Sequence, residues 1–306
     1  MISRDEFLSL STEEVARLVR GSGSKVCVFP INGTRRWFML EYGEREFEDP
    51  IAAYMDLAMR RHVELYKLFF DHGVETLVTP VIGPEILATR GGYMRKIGGD
   101  GLARLATHPD LLSFYEAYGV RVRFYGDYRQ HLAGTPYEFL TGLFDDVAER
   151  TRSHDRFRLF FGAFADNLNS TARIAELAVE HFKEHGAVPD RKKLVELYYG
   201  ETIERADIFI GFDRLAVFDY PLINSGEEDL YFMVAPSSYL TERQLRAILY
   251  DHLYTRRTLE PDFADLPPEA YANLRAFYRA HQDSILGTGQ IRDGYWQPEI
   301  IEKGQG

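Results

Sequence analysis

The sequence predicts an α/β fold in which a mostly parallel central sheet is flanked by helices, within a single domain over residues 1–306. Short runs rich in β-branched and aromatic residues alternate with longer segments of helical periodicity, a pattern typical of βαβ units. The composition, 45% hydrophobic and 27% charged, supplies enough apolar material for a large core. We find no internal repeat and no shift in composition that would divide the chain.

Strands are predicted where apolar runs are short and end in turn residues. The first run, over residues 25–30, reads Lys-Val-Cys-Val-Phe-Pro, and we expect Cys27 within it to be a buried structural thiol. Further strands are expected over residues 74–81, 120–125, 157–164, 206–211 and 230–234. These segments would supply the sheet.

Helices are predicted where apolar residues recur at three- or four-residue spacing. Ser11-Thr12-Glu13-Glu14 is typical of a helix start, and Gly73 and Gly186 are placed to end helices. The predicted helices cover residues 50–71, 102–118, 171–185, 192–199, 241–257 and 268–281. Residues 130–153 have no clear periodicity, and a loop is expected there.

Charge and cysteine content argue against several classes of protein. The formal net charge of −11 argues against a general nucleic-acid binder. The one cysteine excludes an intrachain disulfide and fits a reducing cytoplasm, the location we expect. The N-terminal residues lack a signal-peptide pattern, and no run approaches the roughly 18 apolar residues of a membrane span. We therefore expect at most a transient contact with a membrane surface.

One motif, Val28-Phe29-Pro30-Ile31-Asn32-Gly33-Thr34-Arg35-Arg36-Trp37, follows the first predicted strand. Ligands of open parallel sheets bind beyond the carboxyl ends of strands. A glycine allows backbone N–H groups to approach an anion, and adjacent arginines offer forked donors for phosphate oxygens. The motif therefore predicts a diphosphate site formed by Gly33, Thr34, Arg35 and Arg36. A surface turn before a basic helix start is the alternative.

This motif resembles the Asp-Gly-Thr-Arg-Arg-Trp signature of diterpene synthases with the cis-prenyltransferase fold, a group that includes tuberculosinyl adenosine transferases, isotuberculosinol synthases and kolavelool synthases. The resemblance extends in order through segments 71–76, 124–128, 198–201, 206–212, 230–237, 248–252 and 293–294. It implies a cis-prenyltransferase-like fold and an enzyme that ionises a bicyclic diterpenyl diphosphate of the halimane or clerodane type. Water would capture the allylic cation to give an alcohol, or adenosine would capture it instead.

The resemblance also implies roles for residues around the motif. Tyr54 and Tyr93 would line the pocket of the carbocation, because an aromatic face stabilises positive charge. Residue 32 would position the nucleophile. Mg²⁺, with ligands that the resemblance leaves unknown, would neutralise the charge of the leaving diphosphate, and Arg214 would reach the same group.

Three further residues are expected to complete the pocket. Trp37 closes the motif, and Asp293 and Trp296 lie in a C-terminal segment that would act as a flap against water. The resemblance also implies a homodimer.

The sequence departs from the family pattern at two points. The family aspartate of the motif is Asn32 in this chain, and an amide neither acts as a base nor binds a cation strongly. Three interpretations stay open: a natural variant that uses another base, an inactivating Asp→Asn substitution, and a non-catalytic dimeric partner. The run from Ile210 to Arg214 lacks the first arginine that chain-elongating relatives use for a second diphosphate, which favours ionisation over elongation.

Overall fold

The apolar runs form a six-stranded sheet in the computed structural model of the chain, which describes residues 2–82, 92–165, 167–257 and 262–300, without the side chains of 82, 92–97 and 167–169. The strands are β1 (Val26–Val28), β2 (Thr76–Ile82), β3 (Val120–Tyr125), β4 (Phe157–Ala163), β5 (Ile208–Phe212) and β6 (Asp229–Met233). Their order is β3-β4-β2-β1-β5-β6, and every neighbouring pair is parallel. The predicted α/β fold with a parallel sheet is confirmed.

Helices connect the strands and cover the sheet. Their bounds are α1 (Arg4–Ser9), α2 (Thr12–Gly21), α3 (Thr34–Tyr42), α4 (Pro50–Asp71), α5 (Gly92–Thr107), α6 (Pro109–Tyr118), α7 (Tyr128–Leu132), α8 (Phe139–Arg150), α9 (Asn167–His185), α10 (Arg191–Tyr199), α11 (Glu242–Tyr250) and α12 (Pro268–His281). The capping box predicted at Ser11 is present, since its side chain accepts from the Glu14 N–H. None of the described helices is long and apolar enough to cross a membrane.

The alternation of side chains along β1 divides the core between the two faces of the sheet. Cys27 and Phe29 belong to a cluster that includes Phe69 of α4, whereas Val26 and Val28 pack with Tyr199 of α10. This alternation is the two-residue period of a strand. Cys27 is buried, as predicted.

Two secondary-structure predictions were wrong. A single helix over 102–118 is in fact α5 and α6, because Pro109 lacks the N–H that would continue a helix and begins a new one, which His108 caps. The expected loop over 130–153 contains most of α7 and all of α8. Leu140, Phe144 and Val147 recur there at helical spacing and are buried.

The C-terminal segment packs loosely on this body. No residue of α12 is buried, and the antiparallel hairpin of β7 (Gly289–Arg292) and β8 (Tyr295–Pro298) is a separate two-stranded sheet. The extent of the domain over all 306 residues therefore stays a prediction.

The strand order places a topological switch point at β1. The chain passes from β1 to β2 on one side, and β5 later pairs with β1 on the other side. Ligands of open α/β sheets bind at such a point, beyond the carboxyl ends of the strands. The residues that follow β1 form the motif singled out in the sequence.

Candidate active site

The loop that follows β1 is held in place by a residue far away in the sequence. The Asn32 N–H donates to the Ser237 hydroxyl (3.2 Å), and the Ser237 N–H donates to the Asn32 carbonyl (3.0 Å). The Ser237 hydroxyl also donates to the carbonyl of Pro30 at 3.2 Å. Since Ser237 is completely buried, the backbone at position 32 has a fixed place.

Gly33 is required by both conformation and space. Its φ of +76° lies in the left-handed region, and a Cβ there would come within 2.8 Å of the Phe212 ring and 3.0 Å of Pro236. Gly33 is also the N-cap of α3 and offers no side chain to the first turn. The N–H groups of that turn lack partners within the helix and point towards an incoming anion.

A cavity of about 220 Å³ opens beside this helix start. Its described lining comes from the loop after β1, from one face of α4, from the end of β2 and from α5. The lining residues are Ile31, Asn32, Gly33, Thr34, Arg35, Tyr54, Met55, Ala58, Met59, His62, Tyr66, Thr79, Pro80, Val81, Gly98, Gly101 and Leu105. The structure thus brings together five of the predicted site residues: Asn32, Gly33, Thr34, Arg35 and Tyr54.

Tyr54 joins α4 to the start of α3. Its hydroxyl lies 2.9 Å from the hydroxyl of Thr34, and its ring meets Phe38 edge-on at 5.4 Å between centroids. The contact fixes the tyrosine beside the first turn of α3, where an anion would bind. Arg35 is exposed to solvent and also lines the cavity, which places it at the rim.

Arg36 does not line this cavity. Its guanidinium pairs with the Asp213 carboxylate at 3.5 Å and lies over the Phe212 ring, 5.2 Å from the centroid. Asp213 directly follows β5 and has a φ of +71°, so the pair sits at the same edge of the sheet as the motif. The two arginines of the motif therefore have different surroundings.

The remaining predicted pocket residues lie outside the described lining. Trp37 is a buried residue of α3, and its ring lies edge-on to that of Tyr42. Arg214 lies over the ring of Trp296 at 5.9 Å, which joins the β7–β8 hairpin to the loop after β5. Asp293 forms the turn of that hairpin, with a φ of +50°. In the described part of the chain, the hairpin contacts the loop after β5 and contributes no residue to the cavity lining.

The prediction for Tyr93 falls in part outside the described residues. Its backbone belongs to the first turn of α5, but its side chain is not described. Gly98 and Gly101 of the same helix line the cavity, and a Cβ at Gly101 would meet no atom within 4 Å. Glycines on this face leave room beside α5.

Sequence reasoning missed the polar groups along α4. His62 lines the cavity and is 8% exposed, and neither ring nitrogen has a hydrogen-bond partner among the described residues. Burial lowers its pKa to about 4, so the imidazole is neutral at pH 7. Tyr66 also lines the cavity, and burial raises the pKa of its phenol. Only the helical spacing from Tyr54 to His62 could have indicated that these residues share a face.

Oxygen donors for a metal are sparse. No group of three His, Cys, Asp or Glu side chains gathers within the described ranges, and the described cavity lining holds no carboxylate. Asn32 lines the cavity, and Asp213 pairs with Arg36 at the same edge of the sheet. Mg²⁺ is commonly held by one or two carboxylates together with substrate phosphates, so these residues fit an ion bound mainly through a diphosphate.

The arrangement combines a helix start suited to an anion with a largely apolar cavity. The start of α3 and Arg35 form the charged rim, while methionines, alanine, valine and leucine make up much of the wall. A ligand with an anionic head and a hydrocarbon body matches this division.

Comparison with solved structures defines the class of protein. Lavandulyl diphosphate synthase from Lavandula x intermedia, solved with dimethylallyl diphosphate, has a TM-score of 0.59 and 13% identity, covering 82% of this chain and all of that one. A probable undecaprenyl diphosphate synthase from Campylobacter jejuni has a TM-score of 0.54 and 14% identity, covering 79% and 99%. The chain has the cis-prenyltransferase fold.

Sequence comparison identifies the family within this class. Tuberculosinyl adenosine transferase of Mycobacterium tuberculosis is 40% identical over 301 residues, covering 98% of this chain and 99% of that protein. The chain belongs to the tuberculosinyl adenosine transferase family. (+)-Kolavelool synthase of Herpetosiphon aurantiacus is 26% identical over 293 residues, covering 92% and 91%. No family model matches the chain.

Proposed function

We propose that the protein is a diterpene synthase that ionises a bicyclic diterpenyl diphosphate of the halimane or clerodane type and captures the cation with water. The observation that carries the proposal is the anion site at the start of α3 beside an apolar cavity. The names of the two relatives support diterpenoid chemistry. The products would be a diterpene alcohol and diphosphate.

In this proposal the charged rim holds the leaving group. The N–H groups after Gly33, the Thr34 hydroxyl and Arg35 bind the diphosphate, and Arg36 of α3 and Arg214 of the loop after β5 assist. The allylic C–O bond breaks, and its electron pair departs with the diphosphate. Water then adds to the cation and releases a proton. Mg²⁺, when bound, would neutralise charge on the departing diphosphate.

The cavity wall would stabilise and protect the cation. Tyr54 presents an aromatic ring beside the leaving-group site, and Tyr93 is proposed for the same role. Trp37, Asp293 and Trp296 would act from outside the described lining, by supporting α3 and by covering the rim. Exclusion of bulk water limits side reactions of the cation.

Adenosine is the second candidate acceptor. The 40% identity to a transferase named for adenosine favours it. Incubation of the protein with a radiolabelled bicyclic diterpenyl diphosphate, with and without adenosine, separates the two. We expect a diterpene alcohol under both conditions; a nucleoside adduct as the main product would replace the hydrolytic proposal.

In this proposal, the residue at position 32 affects the rate at which the diterpenyl diphosphate is turned over. Because an amide cannot accept the proton of an attacking water, Asn32→Asp should raise turnover of the diterpenyl diphosphate. The measurement is the initial rate of diphosphate release for both proteins. Equal or lower activity in the variant would exclude an inactivating substitution at this position and favour another base.

The partners and location proposed here follow from the family and the surface. We propose a homodimer in the cytoplasm, with no nucleic acid and at most transient contact with membranes. Leu230 of the edge strand β6 is exposed, and so is Val234, which directly follows that strand. These exposed apolar residues support a dimer interface at β6. A non-catalytic dimeric partner is the third possibility; such a chain should not bind pyrophosphate at Arg35.

A further inference from the structure

His62 lies in the part of the cavity remote from the diphosphate site. Tyr54 contacts Thr34 at the start of α3, and His62 follows Tyr54 by eight residues on α4. A helix rises 1.5 Å per residue, so the two residues are about 12 Å apart along the axis. A ligand whose diphosphate binds at the rim and whose body follows α4 therefore brings its ring system, beyond the allylic side chain, towards His62.

The imidazole is polar, buried and without a partner. It is 8% exposed, and neither Nδ1 nor Nε2 forms a hydrogen bond within the described part of the chain. The low pKa keeps the ring neutral, so one nitrogen is a donor and the other an acceptor. Buried polar atoms are nearly always hydrogen-bonded in folded proteins, and an exception in a ligand cavity calls for an explanation.

The surroundings of His62 offer no substitute partner. Ala58, Met59 and Leu105, which line the same cavity, have no hydrogen-bonding side-chain group apart from a weak thioether acceptor. Tyr66 stands one turn further along α4, and its ring centroid lies 6.1 Å from that of His62. Among the described lining residues, the buried side-chain nitrogen and oxygen atoms that lack a hydrogen-bond partner are the two ring nitrogens of His62. The imidazole can therefore bond to a ligand.

We propose that His62 hydrogen-bonds a hydroxyl or carbonyl oxygen on the ring system of the substrate, and so selects an oxygenated bicyclic diterpenyl diphosphate over its hydrocarbon analogue. This inference rests on the proposed function and refines its substrate class. A hydrocarbon ring against His62 would leave the buried imidazole unpaired, and sites built to bond a substrate oxygen reject analogues that lack it.

The experiment uses two non-ionising thiolodiphosphate analogues of one bicyclic diterpene, with and without a hydroxyl on the ring remote from the side chain. Isothermal titration calorimetry of the full chain should give an affinity about 10- to 100-fold higher for the hydroxylated analogue. His62→Leu should bind both within about twofold, and His62→Gln should retain part of the preference. His181→Leu, outside the cavity lining, is the control and should keep the full preference.

Equal affinities for the two analogues in the unaltered protein, or a preference that persists in His62→Leu, would overturn the inference and leave His62 as a structural residue. If His62→Leu fails to fold, the unaltered protein is tested with the two analogues by calorimetry and by the ¹⁵N chemical shifts of its labelled histidines. Hydrogen bonding must move the His62 signals with the hydroxylated analogue alone. Titration with pyrophosphate distinguishes a failure of the proposed function from a failure of the proposed selectivity of His62. Loss of pyrophosphate binding would overturn the proposed function, whereas equal affinities with intact pyrophosphate binding overturn the selectivity of His62 alone.

Discussion

Two concave regions of the molecule differ in size and in how their charges are used. A groove along the edge strand β3 has a volume of about 720 Å³, against about 220 Å³ for the cavity beside α4. Its arginines face carboxylates: Arg129 pairs with Asp145 at 2.5 Å, Arg173 with Asp127 at 3.6 Å and Arg123 with Glu201 at 3.3 Å. A ligand anion in the groove would have to displace these carboxylates.

The smaller cavity has a different lining. Its described lining contains no carboxylate, and its charged rim combines a helix start with Arg35. An anion at this rim would meet the N–H groups of the first turn of α3, which have no acceptor within the helix. A largely apolar wall lies next to them. The comparison teaches that a helix start beside a lining without described carboxylates, rather than volume, distinguishes the candidate site from the groove.

The largest expected effect concerns the turn that creates the rim. Gly33→Ala adds a Cβ at a positive φ and 2.8 Å from the Phe212 ring, so we expect destabilisation by roughly 2–5 kcal/mol and loss of diphosphate binding. Gly134→Ala is the matched control, since Gly134 has a φ of +68° but no atom within 4 Å of the added Cβ; it should cost about 1–2 kcal/mol. Urea unfolding measures both, and similar values for the two variants would contradict the crowding at Gly33.

The next largest effect is the difference in pyrophosphate affinity between variants of an arginine in each region. Arg35→Ala should weaken pyrophosphate binding about 10- to 100-fold, because a charge-assisted hydrogen bond is lost. Arg129→Ala, in the groove, should leave that affinity unchanged, since Arg129 is bound to Asp145. Calorimetric titration with pyrophosphate tests the pair. An equal loss in both variants would place the anion elsewhere.

The third prediction concerns the pH dependence of the unfolding free energy that the buried His62 causes. The pKa of His62 is lowered to about 4 in the fold, from 6.5 in the unfolded chain. Between these values the unfolded chain binds a proton that the folded protein does not, so the unfolding free energy falls as the pH drops from 6.5 towards 4. His62→Leu should remove this loss, about 2 kcal/mol at pH 5. Denaturant titrations of both proteins at pH 5 and 7 measure it, and parallel pH profiles would contradict a buried neutral His62.

The smallest effect is expected at Asp213. The Arg36–Asp213 pair is partly exposed, with 46% of the Arg36 side chain accessible, and such pairs contribute about 0–1 kcal/mol. Asp213→Asn should release Arg36 and raise pyrophosphate affinity by less than about fivefold, more at low salt than at high salt. Titrations at two salt concentrations test this, and a large loss of affinity would show that Asp213 itself supports the anion site.

Much of the fold could be predicted from local patterns. The six strands and the capped start of α2 depend on short-range periodicity and on the chemistry of neighbouring residues. The split at Pro109 and the helix that buries Phe144 were missed, because helix breaks and weak amphipathic patterns depend on what the segments pack against.

In the candidate site, too, some residues could be predicted from the local sequence and others could not. Gly33, Thr34 and Arg35 could be found from their order after an apolar strand, since a parallel sheet places strand ends at one edge. Ser237, more than 200 residues away, could not be found in this way, although it fixes the backbone at Asn32. The pairing of Arg36 with Asp213 likewise depends on β5 lying beside β1.

By itself, the sequence determined that this chain builds a parallel α/β sheet and carries a glycine–arginine motif at the end of its first strand, because strand period, turn chemistry and arginine spacing are local properties. Only the tertiary structure decided which polar groups stay available. Pairing partners such as Asp213, and the burial that leaves His62 without one, arise from segments that the chain brings together across long sequence separations.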